Sequence, residues 1–189
     1  MIRHLSSFVF VAALTACGVG LPPSIDADGV EADRLLGIRF NKLATTAPAD
    51  LPSRGVARFE GGIGSQITGD IDGRMVADME MTVDFDRDLI DGDISNINIT
   101  DREGDPTQRL GGSLDIDGVH KNGALNARAN GTLRIRDTDD KPGLAEMIIV
   151  LDGDVRTRDD DADTVAGELA GGLAGDVTVR VFDGYFYGE

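Results

Sequence analysis

Few side chains in this 189-residue sequence are of types that perform covalent or metal chemistry. Cys17 is the sole cysteine, so no disulfide can form within the chain. Of the two histidines, His4 and His120, the second lies beside Lys121-Asn122-Gly123, a turn sequence where a histidine is expected to be solvated and to serve neither as ligand nor as base. The serines have no partner base, so triad chemistry is not expected. Carboxylates are so abundant that no pair of them is informative, and glycoside chemistry would need a cleft to hold two at a fixed separation. Asp84-x-Asp86-x-Asp88 and Asp159-Asp160-Asp161-x-Asp163 gather hard oxygens of the kind calcium takes. The first has Leu89 where the turn glycine is needed and the second has no distant bidentate glutamate, so both read as solvated hairpin tips. Asp26-x-Asp28-Gly29-x-Glu31 is weaker still. The expectation is a protein without catalytic residues, metal or cofactor.

The N-terminus says more. Arg3 and His4 precede an apolar run from Leu5 to Leu14, interrupted only by Ser6 and Ser7, which is the form of a secretory signal. Such a run is too short to cross a hydrocarbon core of about 30 Å as a helix. It ends in Leu14-Thr15-Ala16-Cys17, which is similar to the bacterial lipobox: an aliphatic residue, two small residues, and a cysteine that is acylated and becomes the new N-terminus. Residues 1–16 are thus expected to be a lipoprotein signal peptide and Cys17 the lipidation site. Each buried methylene of an acyl chain contributes about 0.8 kcal/mol, so several chains hold a protein on a bilayer almost permanently. Gly18, standing where aspartate would retain a lipoprotein in the inner membrane of enteric bacteria, favours the outer membrane. The formal charge of −16, one unit more acidic once Arg3 leaves with the leader, repels phosphate backbones and anionic headgroups. Nucleic acid is excluded as a partner, and membrane contact is expected through the lipid alone.

Residues 17–53 carry Pro22, Pro23, Pro48 and Pro52 among small and acidic residues and read as a flexible lipidated tether. Within it, Val30 to Leu43 could form one short helix with Leu35, Leu36 and Phe40 on one side, or a strand or docked extended segment. Residues 54–189 read as one all-β domain, because apolar residues recur there with the period of two that places alternate side chains on opposite faces. Met75, Ala77, Met79, Met81, Val83 and Phe85 alternate with Val76, Asp78, Glu80, Thr82 and Asp84. Similar alternation at Ala57–Gly61, Ile90–Ile94, Leu110–Ile116, Leu125–Ile135, Ala145–Val155, Val165–Gly171 and Val177–Tyr187 brings the expected number of strands to about eight. Turn residues such as Asp86-Arg87-Asp88 and Lys121-Asn122-Gly123 separate them, and links so short favour antiparallel neighbours. Eight such strands suit a closed barrel filled by side chains. Glycine recurring at the apolar positions 61, 92, 112, 131, 153 and 167 suits its tight coiling. The chain has no tryptophan for interfacial girdles, and Asp78, Glu80 and Asp84 would crowd the lumen of a membrane-inserted barrel. A single eight-stranded antiparallel soluble β-barrel is therefore expected.

Several segments resemble the transferrin-binding-protein-B-like β-barrel lipoproteins of bacterial surfaces. They are Ala44 to Gly61, with Leu51-Pro52 ahead of Ala57-x-Phe59-x-Gly61; Met79 to Asn96, with Val83-Asp84-Phe85 and Ile90-Asp91-Gly92-Asp93-Ile94-Ser95-Asn96; Val165 to Gly171; and Gly184 to Gly188. The likeness covers residues 44–189. It implies a lipid-tethered barrel at the cell surface or outer membrane that captures an external ligand, and it implies no ligand-contacting residue here. The expected function is non-catalytic binding of a protein or small-molecule ligand, such as an iron carrier or solute, for nutrient capture, with an outer-membrane receptor as a further partner. The alternative is a structural or adhesive envelope lipoprotein with no uptake role.

Overall fold

The computed structural model describes residues 21–137, 139, 141–158 and 161–189, with the backbone alone at 161–163. The elements are α1 (Ala27–Asn41), β1 (Ala44–Thr45), β2 (Val56–Gly69), β3 (Gly73–Asp84), β4 (Leu89–Thr100), β5 (Pro106–Arg109), β6 (Leu114–Lys121), β7 (Ala124–Arg136), β8 (Pro142–Arg158), β9 (Asp161–Gly175) and β10 (Val179–Gly188). Among the described residues eight long strands pair antiparallel in the order β8-β7-β6-β4-β3-β2-β10-β9, and β9 pairs back onto β8, so the sheet closes in a ring. Short β1 and β5 add to β8 and β4 respectively.

Where β6 is too short to span the full height, other groups continue the ladder. Gly111 and Arg134 form an isolated bridge. The Gln108 side-chain amide then imitates a strand: its Nε2 donates to the Arg136 carbonyl and its Oε1 accepts from the Arg136 amide, both at 3.0 Å. The seven residues from Leu110 to Ile116, expected as one strand, are instead a link followed by the start of β6. Gly112 sits in that link at φ 117°, a left-handed conformation that ends extended pairing, so it is not an inward strand glycine.

The period-two expectation holds on the long strands. Met75, Ala77, Met79, Met81 and Val83 are buried inside the ring with Ile63, Ile94, Leu114, Leu133, Ile149 and Phe186, while Asp78 and Glu80 stand exposed outside. Facing glycines make room for the largest of these side chains. Gly153 and Gly167 are direct partners on β8 and β9. A Cβ on either would come within 2.6 Å of the Phe186 ring, so the glycine pair is the recess that the ring fills. At one end of the ring the space among Ile67, Ile71, Met75, Ile99, Leu110, Ile135, Met147, Leu173 and Val179 amounts to 10 Å³, whereas a water needs about 10–15 Å³ and several polar partners.

The expectation of a flexible tether is corrected for residues 21–53. They contain a fifteen-residue helix laid against the outside of the ring. Its start is set by Asp26, whose Oδ1 accepts from the Gly29 amide at 2.8 Å, satisfying a first-turn donor. Of the side expected from Leu35, Leu36 and Phe40, only Phe40 is buried, together with Val30 and Gly37, whereas Leu35 and Leu36 are exposed, so the docking face is rotated from the expected one. No described helix is long and apolar enough to cross a membrane.

Candidate functional site

Residues 21–45 form a strap that crosses the outer wall of the ring from β5 to β8. At one end Leu21 pairs with Arg109 of β5. The Ser24 amide then donates to Asn98 Oδ1 at 3.0 Å, beside Asn96, whose Nδ2 donates to Asp78 Oδ2 at 3.0 Å. Helix α1 next lies over β2, β10 and β9. At the far end Arg156 Nη1 donates to the Leu43 carbonyl at 2.8 Å, and β1 pairs with Arg156 and Thr157 of β8.

The wall under α1 is made of small residues, which lets a helix approach closely. A Cβ on Gly37 of α1 or on Gly64 of β2 would come within 2.4 Å of the Tyr185 ring, so that ring lies between two glycines. Gly62 similarly clears a place for the Asp33 carboxylate. Asp33 accepts hydrogen bonds from the hydroxyls of Tyr185 at 2.8 Å and Tyr187 at 2.7 Å. Phe40 stacks on Tyr187 with centroids 5.2 Å apart and planes 17° from parallel, above Ala166 of β9. Burial raises the Asp33 carboxyl above the ordinary aspartate range, against the opposing effect of its two hydroxyl donors, and the Asp78 carboxylate adds to the rise. Burial and then the Asp33 charge raise the Tyr185 hydroxyl; burial and its hydrogen bond to Asp33 raise that of Tyr187. Through these two hydrogen bonds Asp33 locks α1 to β10.

Beside the lock lies a groove of 1180 Å³ between the flank of α1 and the outer faces of β8, β9 and β10. Ala170 and Gly171 form part of its floor, Ile38, Val150 and Phe182 supply apolar surface, and Asp152, Glu168 and Arg180 supply charge. The Arg180 guanidinium stands 5.7 Å from the centre of the Phe182 ring. An irregularity in β10 shapes this wall: its register shifts between Phe182 and Tyr185, where Asp183 takes φ 47°. Such bulges twist a strand and re-aim its side chains. On the opposite flank of α1 a smaller concavity of 250 Å³ is lined by Arg34, Gln66, Arg74, Val76 and Asp183 among others.

The residues singled out from sequence do not converge here. His120 is corrected from a solvated turn residue to a buried one at the end of β6, 6 % exposed. The chain folds back at Asp88, whose φ is 58° and whose carbonyl accepts from the His120 amide at 3.1 Å. That fold seats the imidazole edge-on to Phe85 at 4.9 Å, with Nε2 3.2 Å from the Asp84 carbonyl and 3.7 Å from Asp88 Oδ1. In the first acidic turn the carboxylates serve the backbone: Asp84 Oδ1 accepts from the amides of Asp86 at 3.0 Å and Arg87 at 3.2 Å, and Asp86 Oδ2 accepts from that of Gly55 at 3.0 Å. Asp26 is the cap of α1, as described above. Among the described residues no three His, Cys, Asp or Glu are grouped to hold a metal. Cys17, Asp159 and Asp160 lie outside the described residues, as do the side chains of Asp161 and Asp163. No local motif in the sequence marks Asp33, Tyr185 and Tyr187. Their signal was parity: Tyr185 and Tyr187 flank inward Phe186, and Gly62 and Gly64 share the outward parity of their own strand beside β10. Comparison with family models, curated proteins and solved structures finds no match to this chain.

Proposed function

We propose that this chain is a lipid-anchored envelope protein whose closed sheet is an eight-stranded, water-soluble barrel, and that it binds a ligand on the barrel's outer wall and not within it. The observation that carries this reading is the contrast between the 10 Å³ left among the core residues around Met75 and an external groove of 1180 Å³ beside α1. Binding sites are concavities, mostly apolar, with a few placed polar groups; Ile38, Val150 and Phe182 with Arg180 and Glu168 answer that description. Anchoring rests on Leu14-Thr15-Ala16-Cys17 with acylation at Cys17, and Gly18 favours the outer membrane. The likeness of residues 44–189 to transferrin-binding-protein-B-like lipoproteins supports capture of an external ligand, a protein or a small solute, for transfer to an outer-membrane receptor. No catalytic step is proposed, because the best-organised polar group, Asp33 with its two tyrosines, is already satisfied within the chain.

The test uses the intact lipoprotein to recover material from growth medium, beside an Ala170→Trp variant whose groove is filled, together with uptake assays on a deletion strain. Enrichment of one component by the native chain and its loss with Ala170→Trp supports the reading. Equal recovery by both chains, or none by either with no nutrient phenotype, overturns it. The second reading, a structural or adhesive envelope component with no uptake role, draws on the same packed interior. It is favoured when neighbouring envelope proteins, and no nutrient, cross-link to the groove.

A further inference from the structure

The outward face of α1 is unlike the rest of this acidic molecule. Around the helix, Val30, Asp33, Gly37 and Phe40 point to the sheet, and on the opposite side the first two turns carry Asp28 and Glu31 while the later turns carry Ile38, Lys42, Leu35, Arg39 and Leu36. Leu35, Leu36 and Ile38 are among the few large apolar side chains exposed on the chain, at 54, 39 and 38 %. From Arg34 to Leu43 there are three cations and no carboxylate, in a chain of net charge −16. Among the described residues Arg39 and Lys42 have no ion-pair partner, whereas Glu31, one turn earlier, is neutralised by Arg34, which holds both its oxygens. The C-terminal half of α1, with leucines flanked by unpaired cations on one side, has the form that lies in the headgroup region of a bilayer, apolar side chains inward and cations among phosphates.

We propose that this outer face of α1 rests on a phospholipid surface containing anionic headgroups, and so sets how the domain stands on its membrane. The inference rests on the anchoring reading for its geometry. Leu21, bonded to Arg109 of β5, is four positions from Cys17, a reach of about 14 Å at most, so the strap that carries α1 is held close to the bilayer in which the acyl chains sit. Contact through lipid alone, expected from the overall charge, is thereby extended to contact through protein. Helix α1 also acts as a spacer: a helix is about 10 Å thick, so the groove along its flank stays open sideways.

The chain has no tryptophan, so a single introduced one reports its own surroundings. Full-length Leu35→Trp, Ile38→Trp and Val119→Trp, each purified from envelopes, are reconstituted in vesicles of phosphatidylcholine and phosphatidylglycerol whose acyl chains carry bromine as quencher. Val119 is the control, since it is as exposed as Leu35 and lies on β6, four strands from β10 around the ring. Quenching at positions 35 and 38 several-fold above that at 119, reduced by Arg39→Glu with Lys42→Glu, supports the inference. Equal quenching at 35 and 119 overturns it. The mass of the residue 17 peptide separates the two ideas: an unmodified Cys17 defeats the anchoring reading, while the supplied vesicles still decide whether the helix face meets lipid.

Discussion

Over β2, β3, β4 and β6 the outer wall carries Glu60, Glu80, Asp93 and Asp115 as successive cross-strand partners, a row of four carboxylates with no ion pair among the described residues. Further along the same wall, over β2 and β9, the outward positions are Gly62, Gly64 and Ala166, and α1 covers them with Val30, Gly37 and Phe40. Like charges set directly opposite repel and persist only where water and salt surround each one. Glycine on an outward position leaves backbone uncovered unless something packs there. The outward residues of a closed sheet therefore mark which part of it faces water and which part is roofed, independently of the inward residues that close it.

The contrast is broken most severely at Phe40. Phe40→Ala removes a ring that is 3 % exposed, and a loss of about 3–5 kcal/mol is expected. Chemical denaturation measures it, and hydrogen exchange should show α1 amides losing protection before those of β3. Asp33→Ala leaves the Tyr185 and Tyr187 hydroxyls without their acceptor, with an expected cost of about 1–3 kcal/mol; an unchanged denaturation midpoint would mean the lock is dispensable.

A smaller effect lies in pH. Because burial makes the folded chain hold the Asp33 proton more tightly than the unfolded chain does, the contribution of this group is fully present below the ordinary aspartate pKa and is lost as pH rises through its raised folded value. The stability difference between native chain and Asp33→Asn should accordingly move in favour of the native chain on acidification through the carboxylate range; a constant difference would show that Asp33 titrates normally. Smallest is Glu80→Gln in the open row. Relieving repulsion from Glu60 and Asp93 should stabilise by about 0.2–1 kcal/mol, and the gain should shrink in high salt. A loss of stability would mean the row is satisfied by contacts other than water.

Much of the ring was legible because strand alternation is local: Met75 to Val83 writes inside and outside within nine residues. Leu110 to Ile116 alternates equally well and still is not one strand, since Gly112 turns left-handed there and nothing in an apolar–polar pattern registers a φ angle. For α1, Leu35 and Leu36 were the obvious apolar side and Gly37 the inconspicuous one. The helix nevertheless docks by Gly37, because only its missing side chain lets Tyr185 come close. His120 was read from its neighbours as a solvated turn residue, and the return of the chain at Asp88 buried it against Phe85.

By itself the sequence determined the all-β class, the approximate strand number, the inward identity of the methionines and isoleucines, and the expectation of a lipid anchor at Cys17. All of these follow from periodicity or from contiguous motifs, which a chain displays before it folds. Tertiary structure alone decided that residues 21–45 are a strap, that Asp33 meets two tyrosines more than 150 positions away, and that the groove lies outside a packed interior. The physical reason is that a hydrogen bond, a stacked ring or a concavity is a relation between distant segments, and ring closure brings those segments together without leaving a trace in the local pattern of either.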